Sequence, residues 1–367
     1  MKKTSLPFYL LLLSSVFFLE GCAHSEPVFY GEKKEEYIRV LVLKGKDLFS
    51  IEDSENSLMI ERGEDGSIRL NGERKDLPLR FGPGAEFVRV AGNPYRGVIE
   101  VRSDNEGLMV INELPLESYI AGIINSEISS KWPIEAIKAQ AVIARTYAIY
   151  QKEKRQGPLF DLTATLMDQV YQGALLEDSI CLQAARETEG EVLFYDGMPA
   201  LTVYHSNAGG MTEASKDVWG ADYPYLKAVR SKYDDSSAGF LWELSISDAS
   251  LEEMLKRAGY GIGRPESIEI VEKSATGRIK SLIIRDIPGR YLLLSGEELR
   301  KAVGYATLRS TFFTVLKRGA EFVFAGKGSG HGVGMSQWGA KGMAGGGYTY
   351  REIIRHYYPG TEIIKLY

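Results

Sequence analysis

The chain has 367 residues, of which 44% are hydrophobic and 25% are charged. This composition is typical of a globular protein with a large core, and it excludes a predominantly disordered or membrane-embedded chain. The 44 Lys and Arg residues against 49 Asp and Glu residues give a formal net charge of -5. Bulk charge therefore argues against a nucleic-acid partner, although a local basic patch stays open.

The first 22 residues have the features of a secretion signal. Lys2 and Lys3 supply positive charge, and residues 6–19 form an apolar run too short for a comfortable membrane span. Cys22 then follows Leu-Glu-Gly, which resembles the site at which bacterial lipoproteins are cleaved and acylated; the alternative is a plain secretory signal with an incidental cysteine. Either way the mature protein is predicted to work outside the cytoplasm, and a lipid on Cys22 would anchor it to a membrane. Residues 23–36 are polar and charged, and they are predicted to form a tether.

Residues 37–112 carry β-branched runs that recur roughly every ten residues between Gly, Asn, Asp and Pro turns. They predict a small β-rich subdomain with no evident catalytic constellation.

Residues 113–362 are predicted to form a second domain that contains two consecutive helices. The first shows helical periodicity over 113–124, with Pro115 in its first turn, and an Ala-rich second helix runs from Pro133 to about Lys152. Farther along, the pattern predicts a hairpin of strands 191–195 and 200–204, helices at 251–258 and 297–303, paired strands at 268–271 and 279–284, and a strand at 321–324. The predicted fold class is α+β, with mainly antiparallel sheets around a central Ala-rich helix. Cys181 lies in a helical apolar pattern, which predicts a buried thiol rather than a disulfide.

Glu127 lies between the two predicted helices, close in sequence to Ile128 and Trp132. A carboxylate against apolar surface has a raised pKa and can keep a proton for general acid catalysis near neutrality. The structural alternative is a helix cap or a solvated charge.

Two later segments also combine polar side chains with glycines. His205, Ser206 and Asn207 precede Gly209-Gly210 after a predicted strand, and Gly326–Ala340 contains His331, Ser336, Gln337 and Trp338. Each could form the rim of a cleft, with Trp219 or Trp338 stacking on a sugar; each could equally be a structural loop. Metal-ligand spacing, a phosphate-binding loop and a Gly-x-Ser-x-Gly nucleophile motif are missing from these segments.

Collinear motifs resemble the stage II sporulation protein D and amidase enhancer family, which carries the SpoIID/LytB domain. They cover about residues 110–360 and read, in order, "ELPLESYIAGIINSEISSKWPIEAIKAQAVIARTYA", "DQVYQG", "YHSNAGGMTEASKDVWGADYPYL", "LRSTFF", "GSGHGVGMSQWGAKGMA" and "HYYPGT". The resemblance implies a peptidoglycan substrate. Sporulation members are lytic transglycosylases that cut glycan strands stripped of stem peptides, and other members were described as enhancers of a cell-wall amidase.

The family's catalytic glutamate corresponds to Glu127, while Glu135 inside the helix is a second motif carboxylate. The resemblance implies that Glu127 acts as general acid and then as general base, leaving a 1,6-anhydro end on N-acetylmuramic acid. The expected substrate-binding residues are Lys138, Arg145, His205, Ser206, Asn207, Trp219, His331, Ser336, Gln337 and Trp338. For Lys138 and Arg145, a buried structural ion pair is an equal alternative.

No cofactor or metal is predicted. Some relatives carry a cysteine near the His-Ser segment and can hold a metal there, but Ala208 occupies that place in this chain. The expected partners are glycan strands and a membrane reached through Cys22, with a cell-wall amidase as a further candidate, and the expected location is the bacterial cell envelope. The rival function is a non-catalytic glycan-binding module or amidase enhancer that uses the same cleft.

Overall fold

A computed structural model of the chain describes residues 35–52, 56–82, 86–155, 159–165 and 167–367. The predicted signal peptide with Cys22, and the predicted tether apart from its last two residues, lie outside the described residues. Within those ranges, no helix is both long and apolar enough to cross a lipid bilayer.

The N-terminal part of the described chain consists of ten strands in two antiparallel sheets. The strands are β1 (Tyr37–Lys46), β2 (Leu48–Glu52), β3 (Ser57–Arg62), β4 (Ile68–Leu70), β5 (Glu73–Lys75), β6 (Leu79–Phe81), β7 (Val88–Val90), β8 (Asn93–Tyr95), β9 (Val98–Asp104) and β10 (Gly107–Pro115). One sheet has the order β5-β4-β3-β2-β7-β8, and the other contains β1-β10-β9-β6. The tight turn between β7 and β8 places Ala91 and Gly92 at positive φ, which suits the right-handed twist of a two-residue hairpin.

Three helices follow: α1 (Leu116–Glu127), α2 (Ile134–Lys154) and, after the short strand β11 (Leu162–Thr163), α3 (Ser179–Glu187). The predicted start of the first helix at residue 113 is wrong by three residues. Pro115 ends β10 opposite Tyr37 and has an extended ψ of 136°, so its backbone belongs to the strand. Pro133 likewise lies just before α2, with ψ also at 136°. Neither proline therefore enters its helix, and the chain turns sharply at both.

Helix α2 is the central core helix that its alanines predict. Ala139, Ala144 and Ala148 are fully buried. Small side chains allow neighbouring elements to approach closely. Helix α2 contacts α1, α3, residues 191–195 and the two helices at 337–345 and 350–357.

The C-terminal part contains small sheets and short helices. Its elements are β12 (Glu191–Tyr195), β13 (Met198–Pro199), β14 (Tyr204–His205), α4 (Ser215–Trp219), a 3-10 turn (Asp234–Ser236), β15 (Leu241–Ser247), α5 (Asp248–Arg257), β16 (Pro265–Lys273), β17 (Ile279–Asp286), β18 (Tyr291–Ser295), α6 (Gly296–Val303), β19 (Phe313–Arg318), β20 (Glu321–Lys327), β21 (Met335–Ser336), α7 (Gln337–Gly345), α8 (Tyr350–Tyr357) and β22 (Glu362–Lys365). Their sheets have the orders β13-β12-β22, β15-β20-β19, β16-β17-β18 and β14-β21.

These elements confirm the α+β class with mainly antiparallel sheets. The predicted hairpin at Asp196-Gly197 exists, and both turn residues have positive φ. The predicted second strand at 200–204 is wrong: the strand that pairs is β13, Met198–Pro199, and the backbone N–H of Leu201 donates to the Tyr225 hydroxyl instead of continuing the ladder. The predicted pairing of 268–271 with 279–284 is confirmed by the β16–β17 register.

Cys181 is fully buried in α3, as its apolar pattern predicts. Burial and the neighbouring Asp178 raise the pKa of its thiol to about 12. The reactive thiolate is therefore scarce at neutral pH.

We expect Cys181 to resist thiol reagents in the folded protein. In a Cys22→Ser variant, which leaves Cys181 as the only cysteine, an aromatic disulfide reagent should react slowly at pH 8 and rapidly once denaturant is added. Rapid labelling without denaturant would contradict the buried placement.

Candidate active site

Glu127 is the last residue of α1 and is half-buried. Its Oε1 accepts a hydrogen bond of 3.1 Å from the backbone N–H of Val170, and the side chains of Tyr204 and Gln337 also hydrogen-bond to the carboxylate. Burial raises the pKa of Glu127 above its usual range because the charged form loses water, while the three hydrogen bonds oppose that shift. The carboxyl group thus holds a proton at higher pH than an exposed glutamate and still has an oriented position.

A relay of side chains supports this carboxylate from the core. The Tyr119 hydroxyl donates to Gln169 Oε1 at 3.1 Å, and Gln169 Nε2 donates to the Tyr204 hydroxyl at 3.3 Å. Tyr204 is then left to donate its own proton to Glu127. Burial raises the pKa of Tyr204 well above its usual range, so Tyr204 stays a neutral donor.

His331 links the glycine-containing segment 326–340 to Tyr204 in β14. Its Nε2 lies 3.0 Å from the carbonyl oxygen of Tyr204, and its Nδ1 accepts the backbone N–H of Val333 at 3.0 Å. These partners require a proton on Nε2 alone, which is the neutral ring. Burial lowers the pKa of His331 to about 4, so the imidazole stays neutral at physiological pH.

His205 is buried beside His331, with ring centroids 5.4 Å apart. Its Nδ1 lies 3.0 Å from the Val333 carbonyl oxygen, which requires the proton on that nitrogen. Its buried Nε2 has no hydrogen-bond partner among the described residues, so it is available as an acceptor. Burial, then His331, lowers the pKa of His205 well below its usual range.

Asp234 joins the two glycine-containing segments. Its Oδ1 accepts the hydroxyls of Ser231 at 2.7 Å and Ser336 at 2.8 Å, and its carbonyl oxygen accepts Asn207 Nδ2 at 3.0 Å. Ser336 also accepts the backbone N–H of Gly339 at the start of α7. Ser336 is fully buried and Asn207 nearly so, and both side chains are bonded to the scaffold rather than directed at a ligand.

Two tryptophans pack together near the site, Trp132 five residues after Glu127 and Trp338 directly after Gln337. Trp132 and Trp338 lie with ring centroids 5.2 Å apart, and Lys341 Nζ is 5.1 Å and 4.1 Å from these two centroids. The backbone N–H of Trp338 donates to the carbonyl oxygen of Ser206, which is half-buried. Trp219 has 44% of its surface exposed, and its ring lies 5.2 Å from His331.

Arg278 lies at the turn before β17 and contacts both glycine-containing segments, at Ala208 and at Gly332. Its Nη2 donates to the Ala208 carbonyl oxygen at 2.7 Å, and a Cβ at Gly332 would lie 2.5 Å from the guanidinium carbon. Gly332 has a φ of +86°, so this position is closed to other residues by both space and backbone conformation. Burial lowers the pKa of Arg278 to about 10, which leaves the residue cationic at neutral pH.

Lys138 and Arg145 are both ion-paired with glutamates other than Glu127. Arg145 has no exposed side-chain surface, and its Nε and Nη2 donate to both oxygens of Glu117 at 2.8 Å and 2.6 Å. Lys138 pairs with Glu135 at 3.1 Å and Glu187 at 2.6 Å. For Arg145 the structure shows the buried ion pair that the sequence left open as an alternative to glycan binding. A fully buried guanidinium with filled hydrogen bonds has no donor left for a glycan.

The metal site of some relatives does not fit these residues. Ala208 is fully buried and offers no side-chain ligand, and the described ranges hold no group of three or more His, Cys, Asp and Glu side chains placed to bind a metal.

Comparisons with known proteins agree with the motifs. The family model described as "Stage II sporulation protein" matches residues 104–195, and a domain of unknown function matches residues 225–334. An uncharacterised protein of Brachyspira hyodysenteriae is 34% identical over 276 residues, which cover 74% of this chain and 73% of that protein. Stage II sporulation protein D of Bacillus amyloliquefaciens is 30% identical, with coverage of 69% and 75%. The chain belongs to the stage II sporulation protein D family.

The amidase enhancer of Bacillus subtilis is also similar to this chain, with 31% identity over 292 residues. The match covers 66% of this chain but only 40% of the amidase enhancer. The family identification was predicted from the motifs and the α+β fold class from the apolar patterns, and both predictions are confirmed.

Several residues of the site were not predicted. Gln169 and Tyr204 stand inside motifs that the sequence displays, "DQVYQG" and "YHSNAGG", so the signal was present although their roles were not read. Asp234 and Arg278 lie outside every motif, and Lys341 was passed over within one. Only the folded chain shows what these three side chains contact.

We expect the Arg145→Met variant to lose stability. The change removes the cation that pairs with Glu117, which keeps only the neutral donors Gly190 N–H and the Tyr367 hydroxyl, and it takes one donor from the carbonyl oxygens of Ala185 and Glu191. Breaking such a buried pair costs about 3–5 kcal/mol of unfolding free energy. Denaturant unfolding would measure this loss. The matched Lys138→Met variant removes a cation whose partners, Glu135 and Glu187, keep 28% and 41% of their side-chain surface exposed, and it should cost about 1 kcal/mol or less. Unchanged stability of Arg145→Met together with lost glycan binding would assign Arg145 to the substrate instead.

Proposed function

We propose that this chain is a lytic transglycosylase of the bacterial cell wall. It would cleave the bond between N-acetylmuramic acid and N-acetylglucosamine in glycan strands free of stem peptides. The observation that carries the proposal is Glu127, a half-buried carboxyl with a raised pKa that is oriented by three hydrogen-bond donors. Such a group can deliver and then recover a proton.

In the first step, protonated Glu127 gives its proton to the oxygen that links the two sugars. The bond from that oxygen to the anomeric carbon of N-acetylmuramic acid breaks, and positive charge develops on this ring. Tyr204 and Gln337 hydrogen-bond to the carboxylate that forms. Their donors are in place before the reaction, so little reorganisation is needed.

In the second step, the C6 hydroxyl of the same N-acetylmuramic acid attacks the anomeric carbon. Glu127 accepts the hydroxyl proton, a 1,6-anhydro ring closes, and the carboxyl group returns to its starting form. The sugar supplies its own nucleophile, so one carboxyl group completes the cycle without consuming water. A hydrolytic glycosidase would in general need a second carboxylate.

Residues around Glu127 suit the binding of a sugar chain. Trp219, Trp132 and Trp338 offer aromatic surface for sugar rings. His331, Ser336 and Asn207 contribute by holding the loops. Neutral His331 is a poor proton donor at physiological pH because its pKa is about 4.

A cell-wall substrate places the protein outside the cytoplasm, in the envelope. Acylation of Cys22 would hold the protein at a membrane, where its catalytic domain could reach nearby glycan. A second candidate function, enhancement of a cell-wall amidase or glycan binding alone, is favoured by the 31% identity to the amidase enhancer of Bacillus subtilis.

We expect the Glu127→Gln variant to lose the activity. Purified protein incubated with peptide-free glycan strands should release fragments with 1,6-anhydro ends, detectable by mass spectrometry. The variant should be slower by about 100-fold to 10,000-fold, the usual contribution of general acid-base catalysis.

Glu135→Gln is the matched control, because Glu135 is the other motif carboxylate and bonds Lys138 and the backbone of Tyr350. It should retain activity. Equal release by Glu127→Gln and the unaltered protein would disprove the role of Glu127. Binding of strands without any release would favour the second candidate function.

The pH dependence should report the carboxyl environment. The protonated form of Glu127 starts the reaction, so kcat/KM should fall as pH rises through its pKa, at a higher pH than for an ordinary glutamate. Tyr204→Phe removes a donor that stabilises the carboxylate, which raises this pKa further. The fall of kcat/KM with rising pH should therefore occur at higher pH in the Tyr204→Phe variant.

Tyr291→Phe, at an exposed tyrosine on β18, should leave the pH of this fall unchanged. A fall at lower pH in the Tyr204→Phe variant would contradict the assigned direction of the hydrogen bond.

A further inference from the structure

Trp132, Trp338 and Lys341 form a tryptophan–lysine cluster beside the catalytic carboxyl. Lys341 Nζ lies 5.1 Å and 4.1 Å from the two ring centroids, distances at which a cation is attracted to an aromatic face. The two rings hold the ammonium group in one place, which lowers the entropy cost of using it in binding.

The cluster is tied to Glu127 from two directions. Gln337 hydrogen-bonds to the Glu127 carboxylate and begins α7. Lys341 lies four residues farther along the same helix, so Gln337 and Lys341 share a face. Trp132 comes from the other direction, in the short segment that joins Glu127 to α2.

Lys341 has no carboxylate within salt-bridge distance among the described residues, in contrast to Lys138 of α2. Lys138 is held by two carboxylates, within 3.1 Å and 2.6 Å. For Lys341, no carboxylate of the described residues lies within 4.0 Å, and the contacts found are the two rings. The side chain is half-buried, so part of it remains open to a ligand.

We propose that the tryptophan–lysine cluster is a carboxylate subsite that binds a lactyl group of the glycan strand. Lys341 supplies the counter-charge, and the tryptophan rings pack against the sugar that carries the lactyl group. This inference rests on the proposed function and names the residue that selects its substrate.

The chemistry explains how the subsite would select peptide-free strands. A lactyl group without a stem peptide ends in a carboxylate, which pairs with an ammonium group. Attachment of the peptide converts that carboxylate into an amide, which has no charge and is followed by further residues. Lys341 therefore strengthens the binding of peptide-free glycan and does not strengthen the binding of glycan that carries stem peptides.

The test measures binding with cleavage disabled. In a Glu127→Gln background, affinity is measured for peptide-free strands and for the same strands with their lactyl carboxylates methyl-esterified. The Lys341→Gln change should weaken binding to the free-acid strands about threefold to tenfold, the range for a partly exposed charged pair. It should leave the esterified strands unaffected, and Lys341→Arg should restore the preference. Added salt should narrow the difference.

Lys327→Gln is the matched control, since Lys327 also lies over a ring, Phe312 at 4.1 Å, but belongs to β20. It should bind both strands as the background protein does. Equal weakening on both strands, or none on either, would overturn the subsite, because a purely structural lysine ignores the substrate's charge.

The outcomes separate the subsite from the lytic activity. The protein with Glu127 intact could release no anhydro ends and still show the Lys341-dependent preference for free-acid strands. That result would support the subsite and disprove the lytic activity. If neither strand binds to any of these proteins, both proposals fail.

Discussion

The site depends on the parallel pairing of two very short strands, β14 and β21. Tyr204 lies opposite Met335 and His205 opposite Ser336, which brings together segments 131 residues apart in sequence (335 minus 204). Two residues per strand give too few backbone hydrogen bonds to hold such a pairing alone. Side chains complete it: His331 bonds the Tyr204 carbonyl oxygen, and Asp234 binds Ser336 and the Asn207 segment.

This pairing explains why polar groups can be buried so densely near the Glu127 carboxyl. Each imidazole of His205 and His331 is held in a single neutral form by backbone partners, and Asp234 accepts several donors. A buried charge is tolerated only when such partners exist. Arg278 is the exception, because two of its guanidinium nitrogens have no partner among the described residues. Its cation occupies the space beneath Gly332 and contributes to the lowered pKa of both histidines.

Glu127 benefits from the same architecture without being enclosed by it. The carboxylate stands at the end of α1, next to α2, so the rigid helical core sets its position. The Tyr119, Gln169 and Tyr204 relay then sets its orientation. Burial favours the protonated acid and the relay favours the carboxylate, and both influences suit the proposed role of Glu127 as acid and then base.

The sequence by itself determined the elements, the fold class and the family. Periodicity located the Ala-rich helix and the strand pairs, because local apolar patterns depend on neighbours a few residues away. It misplaced the start of α1, because the pairing of Pro115 with Tyr37 is a long-range contact that no local pattern contains. The motifs marked Glu127 as the residue to test.

Only the tertiary structure decided what the other candidate residues contact. Arg145 and Lys138 were candidates for the glycan, yet their partners Glu117 and Glu187 come from other elements and neutralise them. Lys341 had no motif role, but packing places it over two tryptophans and leaves it without a carboxylate in the described ranges. Charge pairing and desolvation depend on which side chains meet in space, and a residue's neighbours in sequence do not specify that.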